Sequence, residues 1–152
     1  ILVISHQPLA GPYSIDNAGQ VQSLLNSVSD KVLLAVNGHT HIDHVARVGK
    51  ISYLHVNSAS YKWVGGSYRN KSYPAEVHSK FRWVEYTCPY QDSLFTTLTI
   101  DPVNGRIDVK GRESQWVGKS PSQLGVPAKP NQIDGKEICP KIRSRQLEPA
   151  DK

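Results

Sequence analysis

The chain has 152 residues and carries 18 Lys and Arg against 13 Asp and Glu, for a net charge of +5 and a pI near 9.3. Its 38% hydrophobic content and mean hydropathy of −0.43 predict one soluble domain, and no apolar run approaches the length of a membrane span. Much of the basic excess lies at Lys129, Lys136, Lys141, Arg143, Arg145 and Lys152, with no aromatic residue after Trp116; this is the pattern of a solvated tail and does not specifically indicate nucleic acid.

Ile1 to Ser5 predicts a parallel strand buried on both faces. Such a strand seldom opens a chain, and the sequence contains no Met, so the start is expected to be the interior of a longer polypeptide. Ser5-His6-Gln7-Pro8 closes the strand, because Pro8 holds Gln7 extended. His6 then stands just beyond the carboxyl end, where open α/β sheets collect ligands. After a Gly11-Pro12 loop, Asp16 or Asn17 can cap a helix running to about Ser29, with Val21, Leu24, Leu25 and Val28 as its apolar stripe. A second buried strand, Val32 to Val36, leads into Asn37-Gly38-His39-Thr40-His41-Ile42-Asp43-His44. A right-handed crossover lays the two strands in one sheet and brings both histidine loops to one edge.

His44 to Val48 and Ile51 to Asn57 predict a hairpin turned by Gly49-Lys50. Residues 58–74 read as a long surface loop, and residues 75–86 fit neither helix nor strand cleanly. Phe95 to Ile100 predicts a strand and Asp101 to Gly105 a turn. Arg106 to Gly111 returns as the hairpin partner, with Ile107 and Val109 on one face. From about Glu113 the chain is proline-rich and aperiodic, so the expected organisation is a folded unit over 1–112 and an extended or partly disordered tail over 113–152. Cys88 and Cys139 form no CxxC pair; they could make one disulfide in an oxidising compartment or stay free.

The chemistry concentrates in the histidines. Gly38 is expected to let the backbone turn sharply, and an extended His39-Thr40-His41 would project both imidazoles to one side. Neutral imidazoles suit Zn, Fe and Mn. His6, His39 and His41 could complete a three-imidazole site with an open water position, or supply half of a two-metal site. Asp43 reads as a residue that orients a histidine or caps a turn, His44 as the start of a strand, and His55 as structural; His78 receives no role.

Ser5-His6-Gln7-Pro8 and Gly38-His39-Thr40-His41, with a helix and a strand between them, resemble the last two signature motifs of the calcineurin-like metallophosphoesterases. The resemblance is sharp over residues 1–58 and general beyond. It implies an α/β fold, the C-terminal half of an αββα sandwich, with two metal ions (Fe, Mn or Zn) at the carboxyl edges of its strands. His6 and His39 would ligate one metal and His41 the other. The metals would hold a water or hydroxide that attacks the phosphorus of a phosphomonoester or phosphodiester. Tyr61, Trp63, Tyr68, Arg69 and Tyr73 lie where family loops shape the pocket. Of these, Arg69 could pair with a phosphate oxygen, while Asn57 and Ser58 could hydrogen-bond nearby; packing of the loop onto the sheet is the equal alternative.

The family's earlier motifs, Asp-x-His, Gly-Asp-x-x-Asp and Gly-Asn-His-Asp/Glu, do not occur. The resemblance therefore implies a partner, an N-terminal half that carries the remaining ligands, and residues 1–152 alone are expected to bind metal weakly and turn over little substrate. A periplasmic or extracellular parent fits the family's frequent export. Two other readings compete: a non-catalytic binding module that keeps the fold, and a mononuclear zinc hydrolase with Asp43 as the only nearby acid.

Overall fold

A computed structural model describes residues 1–128 and 135–148. The central sheet has four strands in the order β1-β2-β4-β3, where β1 is Leu2–Ser5, β2 Leu34–Asn37, β3 His44–Val48 and β4 Ile51–His55. β1 and β2 are parallel with Ser5 opposite Asn37, β2 and β4 are parallel with Asn37 opposite His55, and β3 runs antiparallel to β4. The crossover from β1 to β2 carries helix α1, Ala18–Ser27. Asn17 holds its N-cap position but makes no side-chain cap hydrogen bond.

Alternation along β2 and β4 divides the core in two. Ala35, Ile51 and Tyr53 face α1, where they meet Ala10, Val32, Leu25 and Val28. Leu34 and Leu54 face the other way, onto Tyr90, Leu94, Ile107, Val109, Ile142 and Leu147. That second layer is a three-stranded sheet of β7 (Leu98–Asp101), β8 (Arg106–Val109) and β11 (Arg145–Leu147), in the order β11-β8-β7. The layers are thus helix, sheet, sheet, a mixed α/β architecture. Among the described residues no helix is long and apolar enough to cross a membrane.

Several local expectations change. Among the described residues β1 is an edge strand, not one buried on both faces: it pairs there with β2 alone, and the second layer leaves Ile4 75% exposed. Helical spacing places Leu24 on the stripe, yet its side chain is 68% exposed; Leu25 and Val28 make the contact with the sheet. The segment after Ser58 is not simply a loop. It contains β5 (Tyr61–Trp63), paired antiparallel with β6 (Thr87–Pro89), and between them lie a short helix α2 (Ala75–Lys80) and a 3-10 turn over Arg82–Tyr86.

Residues 135–148 pack as part of the molecule. β9 (Arg112–Glu113) pairs with β10 (Lys141–Ile142), and β11 pairs with β8. Ile142 and Leu147 are core residues. Residues 129–134 and 149–152 of the expected tail, with Lys129 and Lys152, lie outside the described residues.

Candidate functional site

Parallel strands in register end together, and this assembles the site. With Ser5 opposite Asn37, the chain leaving β1 lies beside the chain leaving β2, and Gly38 N–H donates to the His6 carbonyl at 3.3 Å. The His39 Nδ1 and His6 Nε2 atoms come to 3.1 Å across 33 residues of sequence, their rings edge to face. The helix and second apolar run therefore do what their spacing predicts: they deliver two imidazoles to one sheet edge.

The loop itself is not extended. His39 and His41 both have left-handed backbones, with φ of 64° and 50°, and Thr40 N–H closes a three-residue turn onto the Gly38 carbonyl at 2.7 Å. Gly38 does not make the turn: its φ is not positive, and a Cβ there would meet nothing within 4 Å. Among the described residues the non-glycine positions with positive φ are Tyr13, His39 and His41. All three line one cleft of about 450 Å³, together with Thr40, Tyr61, Lys62 and Trp63. Left-handed backbone at a non-glycine residue costs on the order of 1–3 kcal/mol and gathers at functional sites. A second hollow of about 330 Å³ shares His39 and His41 with His6 and the ends of β1, β2 and β4. A separate cleft of about 460 Å³ beside Trp116 has no titratable side chain in its lining.

His41 leans edge to face on Tyr61, with ring centroids 5.1 Å apart. Its Nδ1 is buried with no hydrogen-bond partner among the described residues. Burial first, then the Lys62 charge, lower its pKa to about 4, so the imidazole is neutral at pH 7. Lys62, which belongs to no motif in the sequence, donates from Nζ to the Thr40 carbonyl at 2.8 Å. Burial lowers its own pKa to about 8, leaving it mostly protonated at pH 7. Its only sequence signal is its place between two aromatic residues in a short strand.

A second set of residues fixes the loop from below. His55 is fully buried and contacts the Ala10 carbonyl through Nε2 at 2.9 Å, so Nε2 carries the hydrogen. Its Nδ1 then accepts from Asn37 Nδ2 at 3.2 Å and from the Thr40 hydroxyl at 3.3 Å. The structural role expected of His55 takes this form. Asp43, also fully buried, accepts from Arg145 Nη2 at 2.5 Å and from the Arg143 N–H at 3.3 Å through one oxygen, Oδ2. Asp43 N–H donates to the Glu137 carbonyl at 3.0 Å, and the Glu137 carboxylate lies 3.4 Å from His44 Nδ1. Asp43 thus anchors the loop to residues 137–145 and does not orient a histidine.

The expected substrate contacts divide. Tyr61 and Trp63 line the cleft. Asn57 does not offer its amide to a ligand: Nδ2 donates to the carbonyls of Cys139 and Lys141, and Oδ1 accepts from Ser58 N–H and the Tyr90 hydroxyl. Arg69 is outside the cleft lining and is engaged with the Tyr86 hydroxyl at 3.2 Å and the Glu85 carboxylate at 3.8 Å. Cys88 and Cys139 are unbonded thiols. Among the described residues no three His, Cys, Asp or Glu side chains are grouped so as to hold a metal ion. No protein-family model matches this chain, and no match is found among the curated proteins or the solved structures.

Proposed function

We propose that this chain is the histidine-bearing side of a two-metal centre that hydrolyses phosphoesters, with the fold of the C-terminal half of a calcineurin-like metallophosphoesterase sandwich. The observation that carries the reading is the convergence of His6 and His39 at the shared carboxyl edge of β1 and β2, at 3.1 Å. Two imidazole nitrogens bound side by side to one ion at about 2.0–2.1 Å stand roughly 2.9–3.4 Å apart. The observed separation lies inside that interval.

The donor set fits one side of such a centre. His6 and His39 would hold one ion. His41, neutral as metals require and with no hydrogen-bond partner on Nδ1 among the described residues, would serve the other. When bound, the ions (Fe, Mn or Zn) supply Lewis-acid polarisation of the phosphoryl group and a nucleophilic water. This chain's own residues hold the imidazoles in place, and Lys62 sets a positive charge beside the cleft where a phosphate would lie. On this reading the acidic ligands would come from another polypeptide segment, the partner it requires.

The test is titration of Zn²⁺ or Mn²⁺ into the chain, followed through the histidine ring resonances. His6 and His39 are expected to respond together and weakly, with the response lost in His39→Ala and little turnover of an aryl phosphate. Silence of both rings at millimolar metal would remove the reading. A second reading, a binding module without metal chemistry, draws on the same 3.1 Å contact, which is also an ordinary imidazole–imidazole hydrogen bond; that silence is the result it predicts.

A further inference from the structure

We infer that the cleft beside the histidines binds the ester's organic part as a flat aromatic ring, so that the ligand class is a nucleoside phosphate, with its base on Trp63 and its phosphate toward Lys62 and His39. The inference rests on the phosphoester reading for the phosphate end only. Three aromatic side chains, Tyr13, Tyr61 and Trp63, line the cleft whose remaining lining is His39, Thr40, His41 and Lys62. Trp63 is 47% exposed and Tyr13 61% exposed, so both rings present free surface. Tyr86 stacks against one face of the Trp63 ring, nearly parallel at 13° with centroids 5.8 Å apart, and Tyr86 in turn meets Trp83. A braced, half-exposed indole is a preformed stacking surface.

The polar groups decide between a base and a sugar. A sugar is recognised through its hydroxyls, by carboxylates and amides aimed at them. None of the seven lining residues is Asp, Glu, Asn or Gln. The lining combines a cation and two imidazoles with three aromatic rings, which matches an anion joined to a planar base. Its volume of about 450 Å³ lies in the usual range for small-ligand sites, about 300–1,000 Å³. Stacking reads every base through its π-face, so the site is expected to prefer bases as a class over any one of them.

The experiment is calorimetric titration of the 152-residue chain with adenosine 5′-monophosphate, guanosine 5′-monophosphate, ribose 5-phosphate and adenosine. The two nucleotides are expected to bind at least about tenfold tighter than ribose 5-phosphate. Trp63→Ala should bring nucleotide and sugar phosphate to parity, Trp63→Phe should keep most of the difference, and Lys62→Gln should weaken every phosphate-bearing ligand alike. Equal binding of nucleotides and ribose 5-phosphate by the unaltered chain overturns the aromatic platform and leaves the phosphate site standing. Adenosine binding as tightly as its monophosphate overturns the phosphoester reading of the histidine end, while a Trp63-dependent signal keeps the platform. No binding of any of the four overturns the inference.

Discussion

Replacing Arg145 by alanine removes the closest partner of Asp43, a carboxylate with no exposure to solvent. The pair joins positions 102 apart in sequence, and the Arg145 side chain is itself only 18% exposed. Breaking a buried ion pair by deleting one member typically costs about 3–5 kcal/mol, most of it the burden of a charge left without its partner. Here Asp43 keeps the Arg143 N–H at 3.3 Å and Arg143 Nε at 3.5 Å, so the lower end, about 3 kcal/mol, is expected. For a chain of this size that corresponds to a fall in Tm of roughly 6–12 °C. Arg143→Ala is the control. Its side chain is 39% exposed and its ionic contact is longer, so the loss should stay near 1 kcal/mol. Urea and thermal unfolding followed by circular dichroism give both numbers. The double variant Arg145→Ala, Asp43→Asn should recover part of the loss, because the stranded charge is gone. Equal shifts for Arg145→Ala and Arg143→Ala, or a double variant worse than the two single losses added, would refute the reasoning.

Further outcomes follow from the same geometry. Burial first, then the neighbouring His44, hold the His55 pKa at about 4 against the ordinary 6.5, so the unfolded chain binds a proton in that interval that the folded chain does not. Stability is therefore full above pH 6.5 and falls as pH drops towards 4, by at most roughly 3 kcal/mol from this residue; acid titration of urea midpoints should show the fall, and His55→Gln should remove about half of it, because His41 is held equally low, at about 4. Burial raises the pKa of both thiols, that of Cys88 to about 11; a disulfide reagent at pH 8 should label half-buried Cys139 slowly and Cys88 only on unfolding, and labelling of both at the rate of a free thiol would contradict their placement. A Cβ at Gly111 would stand 2.4 Å from Ser144 N and 2.7 Å from the Ile142 carbonyl, so Gly111→Ala should cost about 1–3 kcal/mol, whereas Gly38→Ala, with open space around it, should stay within about 0.5 kcal/mol in the same unfolding assay.

What the sequence made legible is local or follows from strand geometry. The two apolar runs and the helix between them predict parallel neighbours, and the paired register of Ser5 with Asn37 brings His6 to His39. Gly49-Lys50 between two apolar segments predicts the β3–β4 hairpin, and Asp101 to Gly105 the turn from β7 to β8. Periodicity is blind to what covers a face. It marks Ile4 and Leu24 as apolar but cannot say that the second layer stops short of β1 or that Leu24 lies outside the helix contact. Pairings between distant segments are also hidden: β5 finds its partner only at Thr87–Pro89, and Asn57 meets Cys139 and Lys141. The conformation of the histidine loop could not be read either, because left-handed backbone at two non-glycine residues contradicts local preference and is imposed by surrounding contacts.

Those contacts locate the balance of forces in the loop. Two left-handed histidines together cost on the order of 2–6 kcal/mol, which the sequence of the loop alone would not sustain. Opposing that strain are the hydrogen bonds from Asn37 and Thr40 to His55, the Lys62 bond to the Thr40 carbonyl, and the Asp43 ion pair with Arg145. Deleting one member of the Asp43 pair, at about 3 kcal/mol, would cost as much as the upper end of one strained residue. The histidine geometry is consequently a property of residues 55, 62 and 145 as much as of residues 38–41. Loosening any one of them should shift the His39 and His41 ring resonances before the fold is lost. The same four-residue motif placed on another strand end, without a buried carboxylate and an arginine behind it, would relax out of the left-handed region and carry its imidazoles apart.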